Sequence, residues 1–258
     1  MKKIHALYLM LILALALTGC REAGGGPETI ATATTVPVET TVPETTAVTP
    51  GPEETQDALE GDAATYYVSQ VYGDQIAAYK TALSEKWEES AYYEHDMSPV
   101  AAAYYEGDPL ENVGFGFADL DGDGIWELLI GAVREPVLFE VWTAGNGQPE
   151  KLFTAGYRNR YALVSLEEGG YMIANEASSS AACSAYQYYT LVDGELKLQQ
   201  AVVFDAAADP DHPWFLAYDE DWDTANDTPV EEDLAQSIID SYTNCYTVPE
   251  YIPYKLYS

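Results

Sequence analysis

The residues best suited to chemistry lie in one short acidic stretch, from Asp119 to Glu127. Three Asp residues stand at alternate positions, a Gly follows them, and a Glu closes the stretch. Ca²⁺ takes six to eight oxygen ligands at about 2.3–2.6 Å, and alternate carboxylates followed by glycine let the backbone curl round such an ion. We therefore predict a calcium site. Its predicted ligands are the side chains of Asp119, Asp121, Asp123 and Glu127 and the backbone carbonyl of Ile125.

A simple hairpin turn is the alternative interpretation of this stretch. Asp-Gly pairs favour tight turns with positive φ, and Asp121-Gly122-Asp123-Gly124 contains two of them. However, four carboxylates within nine residues repel one another, and a bound cation would relieve that repulsion. Since His and Cys are absent from the stretch, the oxygen-only ligands favour Ca²⁺ over Zn²⁺. We favour the calcium site over the bare turn.

The sequence around the loop resembles known calcium loops. It is not an EF-hand, because Ile130 stands at position twelve, where that motif has Glu, and strand patterns flank the loop. The order of an apolar strand, Asp-x-Asp-x-Asp-Gly-x-x-Glu and Leu-Leu-Ile-Gly resembles the loop of FG-GAP and VCBS-type repeats. It also resembles a segment common in uncharacterised lipoproteins of Gram-positive bacteria. The resemblance implies a loop joining two strands of a propeller-like blade, but the single copy argues against a complete propeller.

A second acidic run, residues 219–227, has carboxylates at the same offsets. Thr224 stands where the loop above has Gly, so the sharp turn would be costly. We expect a solvated loop that precedes the last helix, with a second ion site as the alternative.

The first twenty residues carry the pattern of an export signal. Lys2 and Lys3 precede an apolar run, Ala6 to Leu17, that is too short to span a bilayer comfortably. Leu17-Thr18-Gly19-Cys20 then resembles the lipobox of bacterial lipoproteins. The resemblance implies a signal peptide over residues 1–19. It also implies that acylated Cys20 anchors the chain at the extracytoplasmic face of the cell membrane.

The composition separates this anchor from a folded domain. Residues 20–61 are rich in Thr, Pro, Glu and Gly, which predicts a disordered stalk behind the lipidated Cys. The whole chain has 43 acidic and 11 basic residues, a formal net charge of -32. This charge excludes a nucleic-acid-binding role, because phosphate backbones would be repelled. It also favours a domain held away from an anionic membrane surface.

Residues 62–258 show the patterns of one globular α+β domain. Apolar residues at helical spacing predict an amphipathic helix over 64–89 with a buried aromatic face, and Ser98-Pro99 resembles the capped start of a short helix. A capping box at Thr228–Glu231 predicts a C-terminal helix that buries Leu234 and Ile238. Between these helices we predict an antiparallel, blade-like β-meander. Its predicted strands are 113–117, 126–133, 137–142, 151–154, 161–165, 171–175, 185–192 and 196–204, with a further edge strand within 251–257.

The remaining residues bear on covalent bonds and catalysis. Cys183 and Cys245 are candidates for a disulfide in an extracytoplasmic protein, with two buried free thiols as the alternative. The chain has three His and lacks His-Glu-x-x-His, Gly-x-Ser-x-Gly and P-loop motifs. Catalysis by a nucleophile and a His is therefore poorly supported, and we do not predict an enzyme.

We expect a binding or interaction module whose ligand is a carbohydrate or a protein. The alternatives are a cell-surface hydrolase acting on glycans and a structural or sensory component of an envelope complex. Aromatic residues of the sheet would supply the ligand surface, unless their rings pack beneath the helices. These residues are Trp142, Tyr157, Tyr161, Tyr186, Tyr188 and Tyr189.

Overall fold

A computed structural model describes residues 64–257. The predicted signal peptide, the predicted lipidated Cys20 and the predicted stalk lie outside the described residues. Within 64–257, no helix is long and apolar enough to cross a membrane.

Helices form the N-terminal layer, as predicted, but they are shorter than the predicted helix over 64–89. The stripe of Tyr72, Ile76, Tyr79 and Leu83 is buried, which confirms the predicted aromatic inner face. The predicted continuous helix is divided at Tyr72 and ends at Glu85, because the next residue adopts a left-handed φ of 50°. The segments are a π-helical turn Tyr67–Val71, α1 Gly73–Glu85, α2 Glu89–Glu94, a 3₁₀ helix Pro99–Tyr104 and α3 Pro109–Asn112.

Ser98 differs from its predicted role. It makes no side-chain cap for the 3₁₀ helix; instead its hydroxyl donates to the carbonyl of Ala155, 2.9 Å away. Ser98 is fully buried, so its hydroxyl ties the helical layer to the sheet.

The described strands form one antiparallel sheet, which confirms the predicted α+β meander between helices. Alternation of apolar residues and turns at Gly and Asp-Gly explain why neighbours along the chain pair as hairpins. The spatial order is β10-β9-β8-β7-β6-β5-β3-β2-β1-β12, with β11 beside β5 and β4 beside β3. The strands are β1 Val113–Ala118, β2 Glu127–Ala132, β3 Leu138–Thr143, β4 Glu150–Thr154, β5 Asn159–Ser165, β6 Tyr171–Ser180, β7 Cys183–Val192, β8 Glu195–Asp205, β9 Trp214–Ala217, β10 Thr228–Pro229, β11 Tyr246–Thr247 and β12 Ile252–Pro253.

The C-terminal helix, α4, spans Glu232–Thr243, and its predicted start was wrong. Thr228–Pro229 does not cap the helix, because this segment pairs with β9 as a short strand. The buried face of the helix consists of Ala235, Ile238 and Ile239. Ile238 is buried as predicted, but Leu234 is 38% exposed.

Two core clusters on opposite faces of the first strands position the acidic loop. Leu128 and Ile130 pack against the helical layer, whereas Leu129 belongs to the second cluster. This second cluster also contains Leu120, from the loop itself, and Leu191 from β7. Leu120 thus attaches the loop to the cluster on the side away from the helices, while Ile125 packs against the cluster of the helical layer.

The candidate disulfide between Cys183 and Cys245 is not formed, because Cys183 is a free thiol. Cys183 lies next to the end of β6, whereas the carbonyl of Cys245 accepts from the N–H of Ser165. Ser165 pairs with Tyr171, at the opposite end of β6. Ten residues of strand separate these positions by roughly 30 Å, and a disulfide requires Cα atoms within about 7 Å.

Candidate functional site

The acidic loop connects β1 to β2 at a point where the two strands are in register. Ala118 pairs with Glu127, so the residues between them must reverse direction over a short span. Gly122 and Gly124 make the reversal with φ of 77° and 85°, a conformation that side chains with a Cβ rarely adopt. The fold therefore brings the two ends of the motif together.

Three carboxylates meet inside this loop. Each of Asp119, Asp121 and Glu127 offers an oxygen, and these oxygens all lie within 4.8 Å of one another. Glu127 is 1% exposed, while the two Asp residues are half-buried. The cluster thus has a buried floor and an open side, and it could hold a metal ion.

Hydrogen bonds fix the orientation of each carboxylate. Asp119 accepts from the N–H of Gly122 at 2.7 Å and from the N–H of Gly124 at 3.0 Å. Glu127 accepts from the N–H of Leu120 at 2.9 Å and from the hydroxyl of Thr143 at 3.0 Å. These donors hold the carboxylates of Asp119 and Glu127 in place.

The electrostatics of the cluster disfavour its full ionisation. Burial raises the pKa of Glu127 to about 7, although the hydrogen bonds from Leu120 and Thr143 oppose the rise; Asp121 and Asp123 add to it. Partial burial also raises the pKa of Asp121. A cation among these oxygens would favour their ionised forms and would offset both effects.

The two other predicted ligands differ from these three. Asp123 lies outside the group of converging carboxylates, is exposed, and accepts from the N–H of Ile125 at 2.7 Å. This bond closes the turn from Asp123 to Ile125. The backbone N–H of Ile125, whose carbonyl is the predicted ligand, is therefore held by the side chain of Asp123.

Two tyrosines that the sequence analysis did not connect to the loop hold it from the helical layer. Tyr67 stacks on Trp126 with ring centroids 6.0 Å apart, and its hydroxyl accepts from the Trp126 N–H at 3.0 Å. The hydroxyl of Tyr72 donates to the Trp126 carbonyl at 3.0 Å. Since these tyrosines lie more than fifty residues earlier in the chain, no local pattern links them to the loop.

The second acidic run forms a set of turns. Asp221 accepts from the N–H of Asp223, and Asp223 accepts from the N–H of Ala225, which opens a 3₁₀ turn at Thr224–Asn226. Burial raises the pKa of Asp227 to about 6, helped by the neighbouring acidic residues. Within residues 64–257, three converging potential metal ligands are found in the first loop and not here.

The aromatic residues predicted to form a ligand surface differ in how exposed they are. Tyr188 is fully buried, with its ring stacked 3.6 Å from that of Tyr242, and Tyr189 is also buried. Tyr157, in contrast, is 47% exposed. Trp142, Tyr161 and Tyr186 are half-buried.

Comparisons with protein-family models, with curated proteins and with solved structures find no match to this chain.

Proposed function

We propose that this protein is a calcium-stabilised binding module, carried at the outer face of a cell membrane by lipidated Cys20. The observation that supports the calcium site is the convergence of Asp119, Asp121 and Glu127 within 4.8 Å. The lipobox-like Leu17-Thr18-Gly19-Cys20 supports the anchor. The exposed ring of Tyr157 and the half-buried ring of Tyr186, which line a cavity beside the sheet, support a binding role.

Calcium fits the donor set. All three converging groups are carboxylates, which suit hard cations, and the loop leaves an open side for water ligands. The ion would hold β1 and β2 together where they diverge into the loop. It would also steady Trp126, on which Tyr67 and Tyr72 rest. In this proposal the ion is structural, and the ligand binds elsewhere on the domain.

Thermal unfolding of the purified full-length protein tests the calcium site. The melting temperature is measured in EDTA, in about 1 mM Ca²⁺ and in the same concentration of Mg²⁺. An ion held at 100 times its Kd adds about 2.7 kcal/mol to stability, which raises the melting temperature by about 5–10 °C in a domain of this size. We expect this rise with Ca²⁺, and a much smaller one with Mg²⁺.

Two matched variants assign the effect to the loop. Asp121→Asn removes one converging carboxylate and should abolish most of the calcium-dependent rise. Asp193→Asn makes the same chemical change in another Asp-Gly turn, where Asp193 has a φ of 53° that Asn also tolerates, so the rise should persist. The proposal fails if Ca²⁺ does not raise the melting temperature or if both variants respond alike.

A further inference from the structure

A cavity of about 160 Å³ opens on one face of β5, β6 and β7, away from the acidic loop. Strand pairing builds its floor as a cross-strand row, because Arg160 pairs with Glu176 and Glu176 pairs with Tyr186. Residues paired across an antiparallel sheet share one face. These three side chains therefore stand side by side across three strands.

A second row lies two residues further along the same strands. Ser178 pairs with Ser184, and the N–H of Ser178 donates to the carbonyl of Arg158. Tyr157, from the turn before β5, also lines the cavity. Its hydroxyl donates to Glu89 at 2.8 Å, which holds its ring beside the opening. The cavity thus combines two guanidinium groups, one carboxylate, two phenol rings and two serine hydroxyls.

The charges of this cavity are unusual for this chain. The net charge is -32, with 11 basic residues, yet two arginines lie two positions apart here. Arg158 is exposed and donates to the carbonyl of Ser179 at 3.2 Å; among residues 64–257 it forms no ion pair with a carboxylate. A guanidinium without a carboxylate partner is a ready site for an anionic group.

The second arginine is positioned by its neighbours. Arg160 lies 3.2 Å from a carboxylate oxygen of Glu176, and the other oxygen of Glu176 accepts from the hydroxyl of Tyr246 at 2.9 Å. Because Tyr246 follows the C-terminal helix, this chain of contacts connects the cavity to α4. The side chain of Arg160 is 66% exposed and its charge is already paired with Glu176, which leaves Arg158 as the guanidinium open to an anionic group.

We propose that this cavity binds a sugar unit that carries one carboxylate, a uronic acid. The proposal rests on the proposed binding function and names its ligand class. The forked guanidinium of Arg158 would accept the carboxylate in bidentate geometry. The serine hydroxyls would bond to ring hydroxyls, and the rings of Tyr157 and Tyr186 would contact the apolar face of the sugar.

Two further observations concern the charge and the size of the saccharide. The overall charge of -32 repels a polyanion, so a ligand with one carboxylate in total is favoured over a heavily sulfated or phosphorylated chain. The row that contains Ser184 also continues to Phe204 and then to Trp214 on the same face. These half-buried rings lie 4.9 Å apart and would supply a platform for a neighbouring sugar ring.

Calorimetric titration of the full-length protein with glucuronic acid tests the site. Glucose is the matched neutral sugar, and acetate is the matched carboxylate without a ring; all titrations are done in about 1 mM Ca²⁺. We expect glucuronic acid to bind with a Kd of about 1 mM or below, and at least tenfold more tightly than glucose or acetate. Equal binding of glucose would overturn the role of the arginines. Equal binding of acetate would overturn the assignment of a sugar.

Matched variants locate the binding. Arg158→Gln should weaken binding of glucuronic acid at least tenfold, because it removes the charged hydrogen bonds to the carboxylate. Arg134→Gln removes the same charge in the exposed turn between β2 and β3 and should leave the affinity unchanged. Both side chains are exposed, so both variants should melt as the parent does. Equal affinity of the two variants would refute the site.

The two proposals can fail separately. A calcium-dependent rise in melting temperature without binding of glucuronic acid would refute the cavity proposal alone. Binding of glucuronic acid without a calcium response would refute the calcium site alone.

Discussion

Replacing Glu140 with alanine should destabilise the protein more than any surface change. Glu140 is fully buried in β3 and accepts from the N–H of Ser98 at 3.0 Å and from the indole of Trp142 at 2.9 Å. The ammonium of Lys151 lies 3.6 Å away, and Tyr79 also hydrogen-bonds to the carboxylate. This one side chain therefore joins the helical layer to the sheet.

The expected loss follows from these contacts. Removing one partner from a buried charged network costs about 3–5 kcal/mol, because the other groups are left buried without partners. In a domain of this size, that loss lowers the melting temperature by roughly 6–20 °C. Glu140→Gln keeps the volume and one acceptor oxygen, so its loss should be about 1–2 kcal/mol.

The pH dependence adds a second readout. Burial raises the pKa of Glu140 above its ordinary value of 4.5, although Lys151 opposes the rise. Because the pKa of Glu140 is higher in the folded state than in the unfolded state, the proton on Glu140 stabilises the fold. This stabilisation is complete below pH 4.5 and is lost as pH rises through the raised pKa. Glu140→Gln has no such proton, so the stability gap between the parent and this variant should narrow as pH rises.

Urea unfolding followed by tryptophan fluorescence between pH 5 and pH 8 measures both effects. Glu150→Ala, at an exposed position of β4, is the control and should change stability by less than about 0.5 kcal/mol. A loss below about 1 kcal/mol for Glu140→Ala, or a gap that widens with pH for Glu140→Gln, would show that Glu140 does not join the two layers in this way.

Two further predictions concern backbone packing and a second carboxylate. Gly131→Ala should destabilise by about 1–3 kcal/mol in urea unfolding, because a Cβ there would lie 2.3 Å from the Tyr251 hydroxyl and 2.4 Å from the Val137 carbonyl. Gly145→Ala, with no atom within 4 Å of the added Cβ, is its control, and equal losses would contradict the explanation. Asp227 has a pKa raised to about 6, so its protonated form stabilises the fold fully below pH 3.8, and this effect is lost as pH rises through about 6. Asp227→Asn should therefore gain stability relative to the parent between pH 4 and pH 8, and parallel pH profiles would count against this.

The strands were predictable because their pattern is local. Alternating apolar residues and turn residues lie within short windows of sequence, so the positions of β1 to β8 were predicted, although β6 was predicted to end at 175 and continues to Ser180. β12 lies within the predicted edge strand 251–257, whereas β9 was not predicted. β10 and β11 are two residues long and show no such period. They exist because a neighbouring strand offers unpaired backbone groups, a property of the assembled sheet.

The start of α4 is a second feature that local sequence patterns do not predict. Thr228-Pro229-Val230-Glu231 satisfies the residue pattern of a helix cap, yet Thr228 pairs with Leu216 of β9. Pairing with β9 extends the sheet and delays the helix to Glu232. A local preference of about 1 kcal/mol for a cap is easily exceeded by strand pairing and burial.

The two candidate sites differ in how visible they are in the sequence. Asp119, Asp121 and Glu127 are close in the chain, so their convergence follows from the motif itself. The contribution of Thr143 depends on the pairing of β2 with β3, and spacing along the chain does not reveal it. Arg158 and Arg160 were detectable in principle, because two arginines at strand spacing are conspicuous in a chain this acidic.

The pairing of β12 with β1 has a consequence for how the domain is made. Gly114 and Pro253 are partners, although roughly 140 residues lie between them, and Tyr254 next to them is fully buried against Phe115. During synthesis, the helical layer and the first hairpin emerge long before the segment that completes their core. The emerging chain must therefore keep an unfinished apolar surface, and the N-terminal half should depend on chaperones until residues near 254 arrive.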